Sequence, residues 1–203
     1  MQAEADVNLQ KAHNDLIRSL LRSLEGHAPG EAGHAERVAV YSVATGEKLG
    51  MDDNALLHLR RAAQLHDMGK VRVDPAILIK PDKLTEAEWD ALRLHAILAE
   101  RVLESLWFLA PALPMIRHHH EKWDGSGYPD GLNGEQIPLG ARIIGVAEAF
   151  DSLTHATPFK PASSEEQALE ELRRCRETHF DPMVVDAFEQ VQPLIQPIDP
   201  SIS

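Results

Sequence analysis

The chain has 203 residues, of which 43% are hydrophobic, and its 32 acidic and 20 basic residues give a formal net charge of −12. The hydrophobic fraction is enough to build a core and excludes a disordered chain, and the length fits one domain with at most a small appendage. The acidity argues against a protein that binds duplex nucleic acid by neutralising many phosphates, although a small phosphorylated ligand needs only a local positive site.

The cysteine content and the N-terminus indicate a reducing compartment. Cys175 is the only cysteine, so an intrachain disulfide is excluded. Residues 1–6 include two acidic residues and no apolar run, unlike a signal peptide. The most apolar stretch, 106–116, is interrupted by two prolines and is far shorter than the about 20 residues that a membrane span needs. The sequence therefore predicts a cytoplasmic protein without a membrane span.

Apolar residues recur at steps of three and four, and no segment has the alternation of a strand, which predicts an all-α fold. Helix starts are indicated by Asp52 or Asp53, by Asp74-Pro75 and by Asp181-Pro182, and by capping-box pairs at 85/88 and 164/167. In chain order, the predicted helices span about 7–24, 33–49, 53–69, a short segment from 75, 85–98, 111 or 114 to 121, 139–155, a segment from 164, and 182–191.

A turn-rich segment interrupts this helical pattern between Trp123 and Pro138. It contains four glycines and two prolines. A loop of this length inside a compact helical domain is usually functional or disordered. We therefore treat it as a candidate part of a functional site.

Histidines and aspartates fall on inward-facing positions of several predicted helices. Any one buried histidine is more often an ordinary core residue than a ligand, but a buried unpaired carboxylate on an apolar face would be costly, and a bound metal removes that cost. Imidazole and carboxylate suit iron, manganese or zinc, and there are more donors than one tetrahedral ion uses, which favours two ions that share a carboxylate. The candidate ligands are His34, His66, Asp67, His95, His119, His120 and Asp151.

His118 is the spare member of its triplet. Three consecutive helical residues span about 200° around the helix axis, so the three imidazoles from 118 to 120 are not expected to face one site.

Two motifs follow each other along the chain, HDMGK at 66–70 and HHEKWDGSGYPDGLNGE at 119–135. They are continued by PLGARI at 138–143, FDSLT at 150–154 and FDP at 180–182. This ordered set resembles the HD-GYP family of HD-domain phosphohydrolases over about residues 33–188. The resemblance implies an HD-domain helical bundle at 31–192 with a glycine-rich loop at the rim of the active site. Residues 1–30 would then form an N-terminal helix, as a linker or stalk, and 193–203 a flexible tail.

The family consists of metal-dependent phosphodiesterases that hydrolyse the bacterial second messenger cyclic di-GMP to pGpG or GMP. The resemblance implies that the seven candidate ligands hold two divalent ions, with Asp67 between them; iron or manganese is favoured, and zinc, nickel or magnesium is an alternative. Asp67 and Lys70 would be catalytic, and Lys70, Tyr128 and Lys160 would bind the substrate. Expected partners are cyclic di-GMP or a related nucleotide, a diguanylate cyclase or an N-terminal regulatory domain, and a second copy of the chain.

The sequence departs from the family pattern at two places. Many members have a glutamate four residues before the first histidine, linked to a third metal, where this chain has Gly30; Glu31 is expected to point elsewhere, which favours a two-metal site. The stretch TPFK at 157–160 stands where Arg-Pro-Tyr is usual. Two alternatives therefore stay open: a phosphohydrolase acting on another cyclic dinucleotide, and a module that binds cyclic di-GMP or a protein with little turnover.

Overall fold

The computed structural model describes residues 2–156 and 161–195. In that part of the chain a single bridge joins Arg176 and Phe180, no strand is formed, and the predicted all-α fold is confirmed. The helices are α1 (Gln2–His27), α2 (Glu31–Lys48), α3 (Asp53–Leu65), α4 (Pro75–Leu78), α5 (Glu86–Arg93), α6 (His95–Leu103), α7 (Leu113–Arg117), α8 (Leu139–Thr154), α9 (Glu165–Arg174) and α10 (Pro182–Val191).

Five of these helices, α3, α4, α5, α9 and α10, begin where the sequence supplies a side-chain cap. The Asp52 carboxylate accepts a hydrogen bond from the amide of Ala55 at the start of α3. Reciprocal capping boxes open α5, through Thr85 and Glu88, and α9, through Ser164 and Gln167. Each cap satisfies backbone amides that have no partner inside the helix, and this is why these starts were predictable from the sequence.

The third helix is shorter than the sequence predicts. It ends at Leu65 rather than near Gly69, and residues 68–72 form a 3-10 turn. This turn packs directly against α6. The tighter turn places His66 and Asp67 at the junction between two elements, where their side chains can leave the helix surface.

Two further boundaries differ from the prediction. The helix expected to run through His95 is two helices, α5 and α6, which meet at Leu94. Helix α7 ends at Arg117 rather than at Glu121, because His118 has left the helical region with φ −107° and ψ 13°. His119 and His120 consequently lie in a turn rather than on a helix.

The core lies between α2, α3 and α8, with α9 and α10 packed against α8. Phe150 and Phe188 are fully buried and lie 5.1 Å apart between ring centroids, with Tyr41 beside both. Burial of each such aromatic side chain contributes about 1.5–3 kcal/mol. The second half of α1 enters the same core through Ile17 and Leu24. This packing fixes the helices that carry the candidate ligands.

The glycine-rich loop is ordered. The amide of Trp123 donates to the carbonyl of His179, and the amide of Gly134 donates to the carbonyl of Trp123. Gly125 and Gly131 have φ of +82° and +68°, a region that glycine adopts without strain.

Within the described residues, none of the helices combines the length and the apolarity needed to cross a bilayer.

Candidate metal centre

The predicted ligands come from five separate segments and meet inside the bundle. His34 lies in the first turn of α2, His66 and Asp67 follow α3, and His95 is the first residue of α6. His119 and His120 follow α7, and Asp151 lies on α8. The Asp67 carboxylate is central, because its oxygens lie 3.2 Å from Nε2 of both His66 and His95 and 3.9 Å from Nε2 of His34.

Backbone carbonyls orient three of these imidazoles in the same way. Nδ1 of His66, His95 and His119 lies 2.6–2.7 Å from the carbonyl oxygen three residues earlier. A carbonyl only accepts, so each Nδ1 carries a proton, and in the neutral imidazole each Nε2 presents a lone pair. Such hydrogen bonds fix the tautomer and the orientation of histidines that bind metals through Nε2.

The Nε2 atoms of His95 and His119 then face each other without a proton between them, and Nε2 of His120 lies beside them. Nε2 of His95 lies 3.3 Å from that of His119 and 3.1 Å from that of His120. Nε2 of His66 and Oδ1 of Asp67 are buried and have no hydrogen-bond partner among the described residues. Facing lone pairs and unpaired buried acceptors are unfavourable by themselves, and a divalent cation satisfies them. The residues present therefore fit a metal centre.

Burial and mutual repulsion keep part of the site neutral. Burial lowers the pKa of His95 to about 4, and burial together with the neighbouring imidazoles lowers the pKa of His119 well below its usual value. Burial acts in the same direction on His66, but the Asp67 carboxylate outweighs it and raises the pKa of His66 to about 9. Burial opposes ionisation of Asp67, yet Lys70 and His66 hold its pKa well below the usual range. Neutral imidazoles and an ionised carboxylate are the forms that bind metals, so binding of a metal at His66 would release a proton.

Asp151 is held by a histidine and an arginine. Its Oδ2 lies 2.7 Å from Nδ1 of His34, and Arg37 donates to both carboxylate oxygens at 2.7 and 2.9 Å. Burial opposes ionisation of Asp151, but these hydrogen bonds lower its pKa. Arg37, one turn after His34 on α2, was not identified from the sequence, although a basic residue at i+3 on the same helix face was a usable signal.

Lys70 contacts two carboxylates. Its Nζ lies 2.8 Å from Asp67 Oδ2 and 2.7 Å from Glu31 Oε1. The expectation that Glu31 points elsewhere is therefore wrong. Gly30 adopts a left-handed conformation before α2, so that helix begins at Glu31 and places it three residues before His34 on one face. Burial raises the pKa of Glu31, and its Oε2 is buried without a partner among the described residues.

The structure describes two of the three predicted substrate-binding residues, Lys70 and Tyr128. The ring of Tyr128 lies 4.8 Å from that of His120, so the loop tyrosine borders the centre. Burial raises the pKa of Tyr128, and its phenol is therefore protonated at neutral pH. Lys160 lies outside the described residues.

His118 turns away from the centre. Its Nε2 contacts Asp130 Oδ2 at 2.9 Å, whereas His119 and His120 face the other candidate ligands. Glu148, one turn before Asp151 on α8, was missed by sequence reasoning. One carboxylate oxygen of Glu148 and one nitrogen each of His34 and His66 lie within 4.8 Å of one another. A cavity of about 290 Å³ borders this side of the centre and is lined in part by His120, Glu148 and Ser152.

A helical bundle that directs histidines and a histidine–aspartate pair from several segments to one point defines the class of all-α domains with an internal metal site. The chain belongs to the HD domain family, whose model matches residues 18–184. The resemblance drawn from the motifs is thereby confirmed.

Curated relatives extend this assignment. The chain is 39% identical over 95% of its length to the 3'3'-cGAMP-specific phosphodiesterase 3 of Vibrio cholerae and covers 42% of that protein. It is 38% identical over 88% of its length to the cyclic di-GMP phosphodiesterase response regulator RpfG of Xanthomonas campestris and covers 48% of that protein. The chain thus spans somewhat less than half the length of these relatives.

Solved structures share the fold. A cyclic GMP-AMP-specific phosphodiesterase from Vibrio cholerae superposes with a TM-score of 0.65 at 23% identity, over 88% of this chain and 48% of that one. Bd1817, an HDG"Y"P protein from Bdellovibrio bacteriovorus, superposes with a TM-score of 0.66 at 20% identity, over 80% of this chain and 52% of that one. These similarities support the HD-domain helical bundle.

Proposed function

We propose that the chain is a metal-dependent phosphodiesterase that hydrolyses cyclic di-GMP to pGpG, GMP or both. The observation that carries the proposal is the meeting of Nε2 atoms from His66, His95 and His119 around the Asp67 carboxylate. The names of the relatives and the cavity beside the centre support a cyclic dinucleotide as the substrate.

The proposed centre holds two divalent ions, iron or manganese before zinc, nickel or magnesium. Asp67 would lie between the ions, because its two oxygens face different histidines. When bound, such a pair activates water and neutralises charge that develops on the phosphate oxygens. The proposed ligands are His34, His66, Asp67, His95, His119, His120 and Asp151.

Lys70 and Tyr128 are the proposed substrate contacts in the described part of the chain. Burial opposes the charge of Lys70, but Asp67 and Glu31 raise its pKa, so the ammonium group keeps its proton and can bind a phosphate oxygen. Tyr128 presents a protonated phenol and an aromatic face at the rim, which suit hydrogen bonding to or stacking on a guanine. Lys160 is proposed as a further substrate contact from its position in the sequence.

A second candidate substrate is 3'3'-cGAMP. It is favoured by the name of the relative that is 39% identical over nearly the whole chain. One guanine is common to both cyclic dinucleotides, so the choice rests on contacts to the other base. A module that binds a cyclic dinucleotide with little turnover is the remaining alternative, and the same assay distinguishes it.

Within a longer protein, we propose that residues 31–192 form the catalytic domain in the cytoplasm. Residues 1–30 would link it to an N-terminal regulatory domain, and 193–203 would form a tail. A diguanylate cyclase and a second copy of the chain are proposed partners. Helix α1 supports a linking role, because its first half is exposed, with Val7 68% accessible, whereas its second half enters the core.

The test is hydrolysis of cyclic di-GMP and 3'3'-cGAMP by manganese-reconstituted protein, with products separated by liquid chromatography. We expect turnover of at least one cyclic dinucleotide by the wild type. The variant Asp67→Asn should lose it by about two orders of magnitude or more while it remains folded. The surface variant Asp53→Asn is the matched control. Binding without turnover in metal-replete wild type would contradict the enzyme and favour the module.

A further inference from the structure

Helix α8 directs two carboxylates toward the centre, and only one of them, that of Asp151, is among the predicted ligands. Asp151 is hydrogen-bonded to His34 and Arg37. Glu148 lies three residues earlier on the same helix face, with its side chain 18% exposed. Its Oε2 lies 3.8 Å from Nδ1 of His120, and among the described residues its carboxylate makes no hydrogen bond.

The other histidines of the centre each have an acceptor at Nδ1. Three use a backbone carbonyl, at 2.6–2.7 Å, and His34 uses the Asp151 carboxylate at 2.7 Å. His120 is the exception, because within the described part of the chain its Nδ1 has no hydrogen-bond partner. The chain has left helix α7 by this point, and Glu148 is the acidic group that faces this nitrogen.

We propose that Glu148 is the positioning residue of His120. It accepts the Nδ1 proton, so that Nε2 is held toward the ligands His95 and His119. The 3.8 Å separation closes by a small rotation of a partly exposed glutamate. A carboxylate in this place fixes the tautomer, limits rotation of the ring and makes Nε2 a stronger donor to a metal. Helix α8 would then supply one carboxylate to His34 and another to His120.

This inference rests on the proposed function, since it requires a metal centre. A direct role of Glu148 as a ligand is the competing interpretation, because its carboxylate also lies near His34 and His66. The substitution Glu148→Gln separates the two roles. The side-chain amide oxygen that it introduces still accepts a hydrogen bond from Nδ1, but a neutral amide replaces a carboxylate poorly as a ligand.

The experiment is a titration of chelator-treated protein with Mn²⁺, followed by the electron paramagnetic resonance signal of the free ion. Wild type, Glu148→Gln, Glu148→Ala and the exposed control Glu47→Gln are compared. We expect two ions per chain in all four. In Glu148→Ala the affinity for one ion should fall 10–100-fold, and Glu148→Gln should recover most of that loss. Melting temperatures of the metal-free variants should match that of the wild type.

Loss of one ion in both Glu148→Gln and Glu148→Ala would make Glu148 a ligand and overturn the positioning role. Unchanged Mn²⁺ affinity in both variants would overturn it as well, whatever the effect on the melting temperature. Failure of the wild type and of Glu47→Gln to bind Mn²⁺ would instead remove the metal centre and the proposed function, and the positioning role with them. If Glu148→Ala does not fold, an affinity of Glu148→Gln weakened tenfold or more still decides against positioning.

Discussion

Gly69 determines how closely the turn that carries Asp67 approaches helix α6. A Cβ atom at this position would overlap the carbonyl oxygen of His95 and would lie 2.6 Å from the amide nitrogen of Ala99. Only glycine allows this approach of one backbone to another. The approach in turn sets the 3.2 Å separation between Asp67 and His95, so a residue without a side chain helps to define the candidate metal centre.

Gly69→Ala should therefore destabilise the fold by about 1–3 kcal/mol, as overpacking does, and weaken metal binding by separating Asp67 from His95. Gly26→Ala is the control, because nothing lies within 4 Å of a Cβ there, and alanine inside helix α1 should stabilise by up to about 1 kcal/mol. Urea unfolding and metal content measure both. Equal effects of the two substitutions would contradict the close-approach argument.

At the scale of elements, the glycine-rich loop is fastened to the end of α7. Glu121 is 8% exposed, and its Oε1 accepts a hydrogen bond from the amide of Asp130 at 2.7 Å. Arg117 donates to both carboxylate oxygens of Asp130, at 2.8 and 3.0 Å. These contacts hold the middle of the loop and thereby place Tyr128 beside His120.

Glu121→Ala should loosen the loop. Loss of a hydrogen bond to a charged acceptor costs about 1.5–3 kcal/mol, so amide exchange of Asp130 should accelerate tenfold or more. Hydrogen exchange read by mass spectrometry or NMR measures the effect. Glu135→Ala, an exposed substitution in the same loop, should leave this exchange unchanged. Slow exchange of Asp130 in Glu121→Ala would show that the anchor lies elsewhere.

Over the whole molecule, the buried histidines make the stability of the metal-free protein depend on pH. Burial lowers the pKa of His95 from 6.5 to about 4, so between these values the unfolded chain binds more protons at this position than the folded one. The contribution is fully present above pH 6.5 and is lost as the pH falls through 4. His66 acts in the opposite sense, because its pKa of about 9 stabilises the fold below 6.5 and that contribution is lost as the pH rises through 9.

We expect protonation of His95 to lower the free energy of unfolding of chelator-treated protein by on the order of 3 kcal/mol between neutral and acidic pH. Urea unfolding at several pH values between 7 and 4, compared with His95→Asn, measures it. The variant should be less stable at pH 7 but should lose less on acidification. Parallel pH profiles of the two proteins would contradict the burial of a neutral His95.

The helical class and the helix starts could be predicted because they depend on local signals. The Thr85–Glu88 box and the Asp52 cap act within one turn of their own helices. The meeting of histidines and aspartates was also anticipated, because each lies on an inward-facing position. In contrast, the direction of the Glu31 side chain was predicted wrongly. Its partner Lys70 is 39 residues away, and the start of α2 depends on the left-handed conformation of Gly30.

Other parts of the site depend on packing between elements that are far apart in the sequence, so no local sequence pattern indicates them. Arg37 reaches Asp151 across 114 residues, and Glu148 faces His120 only because α8 lies beside the turn after α7. The early end of α7 at Arg117 has no glycine or proline after it to mark it in the sequence. It reflects the demand that His119 and His120 both face the centre, which a continued helix does not allow.

The most direct test of the metal centre is elemental analysis of the anaerobically purified wild type after reconstitution with Mn²⁺ and removal of free ions. The wild type, in which the candidate ligands converge on Asp67, should retain two ions per chain. The variant Asp67→Asn should retain fewer than one. A wild type that retains none, or an Asp67→Asn variant that retains as many ions as the wild type, would contradict the account.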